Sequence, residues 1–246
     1  GGGTDNRTNA TGHLTVNFNP DTNYLAGQQL WRGGTRGDAA YFDTNISLAL
    51  NLTIYLDLNT TLVSPSIGTE YLKGENVTFI VHVNDDQPVN VENATVNINL
   101  TAENSDRVQC TPVTQDGGGD YRCTINSSTI AARYHNLTLI SNRTFYNTNV
   151  TSLDNAIFVK TKPNLTNESV TSQQGGDTGG WGERGNFTIN VTDEDLDNVS
   201  LQLRIKKASD ADSAWTGSYG NPVNISTYTT NPDLRSPINK TITLTY

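Results

Sequence analysis

From Asn93 to Thr101 the chain alternates without interruption. Ala94, Val96, Ile98 and Leu100 fall on one side, and Asn93, Thr95, Asn97, Asn99 and Thr101 on the other. Successive side chains of an extended strand point to opposite faces, so this segment reads as a strand with one dry and one wet face. Antiparallel sheets that pack on a single side carry that pattern. The same period of two runs through Val77, Phe79, Val81 and Val83, through Phe187, Ile189 and Val191, and through Val199, Leu201, Leu203 and Ile205. It recurs in Leu52, Ile54, Leu56 and Leu58 and in Ile242, Leu244 and Tyr246. No useful stretch of helical period competes with it. The expected fold class is all-β, built of antiparallel β-sandwiches.

The wet faces are spelled largely in one tripeptide. Asn-x-Ser/Thr begins at Asn6, Asn9, Asn45, Asn51, Asn59, Asn76, Asn93, Asn99, Asn126, Asn136, Asn142, Asn149, Asn164, Asn167, Asn186, Asn190, Asn198, Asn224 and Asn239. With 30 Asn and 51 Ser or Thr in 246 residues, chance placement gives about six such sites; the chain has 19. The motif is the acceptor for N-linked glycan, which requires a solvated surface on an exported protein. Thirteen of the 19 have an apolar middle residue, as in Asn186-Phe187-Thr188 or Asn136-Leu137-Thr138. In a strand, such a triplet sends Asn and Thr outward and the apolar residue inward. The β propensity of Thr accounts for part of the excess. It does not account for Asn, which strands normally avoid, so selection for glycosylation is the better explanation. Three windows, residues 12–44, 102–125 and 201–223, contain no acceptor Asn, and contacts with other proteins are expected there.

Composition narrows the partners. A formal charge of −9 and a pI near 4.7 argue against nucleic acid or anionic membrane, which call for clustered Lys and Arg. Leu, Ile, Val and Phe contribute 56 residues, above the level of about 20% below which chains tend to stay disordered. No apolar run approaches the ~18 residues of a membrane span, and no signal peptide is visible. The chain has no Met, so both ends read as interior to something longer.

Cys110 and Cys123 flank a turn-rich segment containing Gly117, Gly118 and Gly119. Alternating residues lead into and out of it, so the pair is expected to face across a hairpin and, in an oxidising compartment, to form a disulfide. Two buried thiols are the alternative.

Pro65 and Pro163 each follow one strand and precede another. They divide the chain into residues 1–64, 65–162 and 163–246, of which the middle segment is the most complete. Six or seven short strands with turn signals every ~8–12 residues are the pattern of an immunoglobulin-like sandwich. In Ser64-Pro65, Gly74-x-x-Val77-x-Phe79 and Asn93-Ala94-Thr95-Val96, the segment resembles the Ig-like repeats of bacterial and archaeal surface proteins and adhesins. Gly119-Asp120-Tyr121-Arg122-Cys123 resembles the run into strand F of Ig domains, where a Tyr two residues before the Cys anchors a corner through its hydroxyl. Cys110 is too close in sequence to be the usual strand-B partner, so a local bridge is expected rather than an inter-sheet one. Trp181-Gly182-Glu183, leading into Asn186-Phe187-Thr188-Ile189-Asn190-Val191, is similar to a further repeat. The stretch from Gln28-Gln29-Leu30-Trp31 through Tyr41 to Leu58 looks like the latter part of another. The resemblance implies tandem Ig-like domains and an extracellular setting, and no chemistry.

Candidate sites are few. Asp193, Asp195 and Asp197 alternate through a turn and offer oxygen ligands to a hard cation such as Ca²⁺, which takes six to eight; a solvated hairpin turn is the alternative. Asn84-Asp85-Asp86 occupies the matching place in the middle segment. His13, His82 and His135 show no metal-ligand spacing, and neither a nucleophile elbow nor a phosphate loop is present, so no enzymatic activity is expected. Trp31 and Trp215 lie in acceptor-free windows and fit interface anchors, while the three Trp together offer a sugar-stacking platform as a minority alternative. The terminal run Thr241 to Tyr246 could pair in its own chain or be donated to another subunit. Taken together, the sequence points to an N-glycosylated archaeal surface protein that self-associates in a stalk, filament or surface layer. The alternatives are a carbohydrate- or host-binding adhesin module and a viral surface glycoprotein.

Overall fold

The alternation at Asn76–Asp85 and Thr95–Ala102 becomes two strands in opposing sheets, whose inward residues Val77, Phe79, Val81, Val83, Ile98 and Leu100 are sealed from solvent. The structure, a computed structural model, describes residues 9–37, 39–40, 42–102, 105–180, 183–195, 201–202, 209, 211, 224–225 and 238–245. In chain order the first stretch holds β1 (Gly27–Trp31), β2 (Gly34–Thr35), β3 (Thr44–Asn45) and β4 (Leu50–Ile54). The central stretch holds β5 (Leu56–Ser64), β6 (Thr69–Leu72), β7 (Asn76–Asp85), β8 (Thr95–Ala102), β9 (Arg107–Cys110), β10 (Thr114–Gly117) and β11 (Asp120–Asn126). After a 3₁₀ turn at Ser127–Thr129 come β12 (Arg133–Asn142), β13 (Tyr146–Asn147) and β14 (Asn149–Lys160). The last stretch holds β15 (Asn164–Ser172), β16 (Arg184–Thr192), β17 (Leu201–Gln202), β18 (Asn224–Ile225) and β19 (Ile238–Thr245). Among the described residues there is no α-helix, and the protein is all-β.

Two five-stranded sheets, β10-β11-β7-β5-β13 and β6-β14-β12-β8-β9, form the central sandwich. Pairing is antiparallel except where β13 meets β5 and β6 meets β14. With the edge strands β6, β9 and β13 set aside, lettering the rest in chain order makes β5, β7, β11 and β10 strands A, B, E and D, and β8, β12 and β14 strands C, F and G. That strand order is like that of an immunoglobulin sandwich. Val77, Phe79, Val81 and Val83 meet Ile98, Leu100, Leu137, Leu139, Ile157 and Val159 in one core between the sheets. At one end the interior turns polar, where the buried hydroxyls of Thr60 and Ser141 hydrogen-bond at 2.5 Å and Thr151 Oγ1 donates to the Thr60 carbonyl at 3.0 Å. Buried hydroxyls need such partners.

Several sequence expectations change. The run Leu52–Leu58 is not one strand: it breaks at Tyr55 into β4, which pairs with β1, and β5, which pairs with β7. The central sandwich therefore starts before Pro65, because Leu58 fills its core and the β5 backbone completes the β7 ladder. The cis Ser64–Pro65 peptide lies where the chain leaves one sheet for the other. Cys110 and Cys123 do form a disulfide, with Cα atoms 6.0 Å apart. The bridge is local in sequence, as expected, but it is inter-sheet and does not cross a hairpin: Cys110 ends β9 in one sheet and Cys123 lies on β11 in the other, so the bond ties the sheets together. The hairpin is β10–β11 and excludes Cys110. Finally, Tyr121 anchors a corner from strand E rather than strand F. Its hydroxyl donates to the Val91 carbonyl at 2.9 Å and accepts the Ala94 N–H at 2.8 Å. The corner begins the next strand late: Asn93 has φ of 56° and stands outside the ladder, donating its N–H to Gln115 Oε1. Asn tolerates that left-handed conformation better than most residues.

In the last stretch β15, β16 and β19 form an antiparallel sheet, and β17 pairs with β18. The terminal strand thus pairs within its own chain.

Candidate functional site

The sheets decide where the acceptor asparagines stand. Asn59, Asn76 and Asn126 lie on β5, β7 and β11 of one sheet. Asn99, Asn136, Asn142 and Asn149 lie on β8, β12 and β14 of the other. Asn45 and Asn51 are on β3 and β4, Asn164 and Asn167 on β15, Asn186 and Asn190 on β16, while Asn9 and Asn93 are in loops. Eleven of these 15 are exposed, and Asn99, Asn126, Asn149 and Asn190 are half-buried. None is buried. Asn224 and Asn239 are placed by backbone on β18 and β19, and Asn6 and Asn198 lie outside the described residues.

The middle residues obey the inward rule at some acceptor triplets and break it at others. Val77, Leu100, Leu137 and Val191 are buried. Ile46, Leu52, Val150 and Leu165 are exposed, Val150 by 59%. At Asn149-Val150-Thr151 the polar end of the sandwich takes the hydroxyl of Thr151 inward and leaves Val150 outside. The triplet does not by itself fix which face is dry.

The acceptor-free window 12–44 carries a run of exposed apolar groups: Leu14, Phe18, Leu25, Leu30, Trp31 and Phe42. Trp31 sits at the end of β1 opposite Leu50 and is 50% exposed. Window 102–125 covers β9 and β10, which are edge strands of the two sheets on the same side of the sandwich. Trp215, Trp181 and Tyr41 lie outside the described residues.

A second cluster occupies the junction between β14 and β15. Asp193 and Asp195, just after β16, are buried, and both reach the junction residue Thr161. Asp195 Oδ2 accepts the Thr161 N–H at 2.5 Å, Asp193 Oδ1 accepts from Thr161 Oγ1 at 2.9 Å, and the Asp195 N–H donates to Thr161 Oγ1 at 3.3 Å. Burial, reinforced by the adjacent Asp195, pushes the Asp193 carboxyl up to about 6, while the hydrogen bond from Thr161 works in the opposite direction. Lys73 pairs with Glu194 across the junction and Lys160 with Glu70 beside it. An open cleft of about 1090 Å³ runs between them, lined by Lys73, Lys160, Lys162, Asn164, Thr192 and Glu194 among others. Sequence reasoning found Asp193 and Asp195 but missed Thr161, Lys73 and Lys160. Thr161 and Lys73 join the acidic turn from 34 and 121 residues away, and Lys160 lines the same cleft, with no local pattern to mark them.

Asp197 lies outside the described residues. Among those described, no group of three or more His, Cys, Asp or Glu is arranged to hold a metal ion. Asp85 of the matching turn is buried and already accepts the Gln87 and Val89 N–H groups, a turn-closing role. His82 is half-buried, with Nδ1 2.7 Å from Asp120 Oδ1 on the neighbouring strand. His135 is buried, and its Nε2 donates to the Ala131 carbonyl.

No protein-family model matches the chain, and no curated protein matches it. Among solved structures it is similar to a DUF4785-family protein of Legionella pneumophila, with 10% identity and a TM-score of 0.34, covering 77% of this chain and 47% of that one. It is also similar to FdeC, an Escherichia coli adhesin, with 14% identity and a TM-score of 0.36, covering 76% of this chain and 58% of that one. The chain thus spans about half the length of these two proteins.

Proposed function

We propose that this chain is part of an extracellular, heavily N-glycosylated structural protein: a string of β-sandwiches that spaces or encloses a cell surface and associates with its own kind. One observation carries the reading. Fifteen acceptor asparagines have described side chains, and all of them reach solvent although most sit on strands, a setting Asn usually avoids. They occupy both sheets of the sandwich, so sugar would sheathe both broad faces. The inter-sheet disulfide agrees with an oxidising compartment.

Self-association fits the exposed apolar groups of window 12–44, of which Trp31 lies opposite Leu50 while Leu30 lies opposite the acceptor Asn51. Exposed apolar groups are a mark of protein contacts where they gather, and Trp31 suits an anchor. Site-localised glycopeptide mass spectrometry on protein from its native source, with electron microscopy of that material, tests the reading. Sugar at most acceptor sites and ordered polymers are expected. Bare asparagines throughout would end the glycoprotein reading, and monomers at every concentration would end the polymer reading.

A further inference from the structure

On the strength of that reading, we propose that Asn76 and Asn126 form a pair in which only Asn76 carries sugar, Asn126 being held as a structural node. The two residues face each other in register across β7 and β11. N-Glycosylation joins Nδ2 to the anomeric carbon of a lipid-phosphate-linked sugar donor. The phosphate leaves with the bonding electrons, and one Nδ2 proton passes to a base. An acceptor amide must therefore give up one N–H and accommodate a pyranose ring beside the nitrogen.

Asn126 meets neither requirement. Both of its Nδ2 hydrogens are in use, one toward the Gly74 carbonyl at 2.9 Å and one toward Asn76 Oδ1 at 3.0 Å. Its Oδ1 accepts the Ser128 N–H at 3.0 Å, capping the 3₁₀ turn. Ser127, the next residue, is fully buried: its N–H donates to the Glu75 carbonyl, and its hydroxyl accepts from the Gly74 N–H and donates to the Leu72 carbonyl. Asn126-Ser127 thus stitches the end of β11 to the turn between β6 and β7. A sugar on Asn126 would break one of these bonds and place a ring between adjacent strands.

Asn76 differs in each respect. It is exposed, it enters the pair through its oxygen, and its Nδ2 donates to no described residue. A sugar there leaves every bond of the node in place.

The test is site-localised glycopeptide mass spectrometry of the full chain made in an N-glycosylating host, with Asn76→Gln alongside. Sugar at Asn76, a bare Asn126, and an Asn126 still bare in the variant are expected. Sugar at Asn126, or a bare Asn76 amid occupied neighbours, overturns the assignment and leaves the glycoprotein reading standing. Bare asparagines everywhere overturn both. Unfolding of unglycosylated protein checks the node separately: Asn126→Ala should lower the midpoint by about 4–8 °C as for a lost cap, and Asn76→Ala, which removes the single Asn126–Asn76 bond, should lower it by clearly less. Equal midpoints for the two variants would remove the node.

Discussion

The hydroxyl of Tyr121 does two jobs at once, and both are buried. It closes the corner between β7 and β8 by donating to Val91 and accepting from Ala94. Burial, the dominant influence on its phenol, pushes the pKa up from 10.0, so the group stays neutral and keeps its proton to donate. Tyr121→Phe preserves the ring and strands a carbonyl and an N–H. Leaving buried polar groups unpaired costs about 1–3 kcal/mol, and urea unfolding should show a loss of that size; an unchanged midpoint would mean water replaces the hydroxyl without cost. The role of this residue was legible in Gly119-Asp120-Tyr121-Arg122-Cys123, but its strand was not. A five-residue run specifies a hydroxyl near a corner; which sheet the strand joins depends on its pairing with β7, 38 residues away, which no local pattern encodes.

Among the strands, one tripeptide has two outcomes. Asn136-Leu137-Thr138 buries its apolar residue in the core, and Asn149-Val150-Thr151 leaves its own in solvent. Leu137→Ala should cost about 2–5 kcal/mol, the range for truncating a buried Leu, whereas Val150→Ala should stay within ~0.5 kcal/mol. Equal losses would mean that β14 faces the other way. The alternation in the sequence told that these were strands. It could not tell that the interior near Val150 is lined by Thr60, Ser141 and Thr151, a choice made by residues 81 and 91 positions apart. Asn155 adds a second irregularity: at φ of 49° it lies in a bulge of β14, and its N–H is taken by Asn136 Oδ1 at 2.7 Å. That bond uses the oxygen and leaves the sequon nitrogen of Asn136 out of it. The disulfide is likewise an element-scale tie, joining β9 and β11 through cysteines 13 positions apart in sequence. Replacing both cysteines by Ala should cost about 3 kcal/mol on the loop-entropy account, seen as an earlier urea midpoint. Because the bridge joins the two sheets, β9 and β10 should then gain hydrogen exchange before the central strands; uniform exchange across the sandwich would contradict that order.

For the whole molecule, the decisive geometry is the junction at Thr161, where the central sandwich hands over to the β15-β16-β19 sheet. Two buried carboxylates there grip one threonine. The sequence showed the acidic turn and offered for it either a cation or a solvated hairpin. The fold brings a backbone N–H and a hydroxyl to Asp195 and Asp193, with Lys73 on Glu194 at the rim. Asp193 makes the grip dependent on pH. Its carboxyl is raised from 3.8 to about 6 chiefly by burial, with Asp195 adding to the effect. A raised acid binds more protons folded than unfolded between those values, so stability falls as pH rises through that window. Below it Asp193 is protonated in both states and the contribution is complete; above about 6 Asp193 is ionised in both states, and the penalty is constant. The other charged groups at the junction, Lys73, Glu75, Lys160, Lys162 and Glu194, set the background field. The Thr161 amide, donated to Asp195, reports the grip directly. Its hydrogen-exchange protection, corrected for intrinsic rate, should decline from pH 4 to pH 6 and level off beyond, while β7 and β12 amides should stay protected. In Asp193→Asn, which keeps an acceptor for Thr161 and carries no charge, the decline should vanish and protection at neutral pH should exceed that of the native chain. A native-like decline in that variant would assign the titration to another group and remove Asp193 from control of the junction.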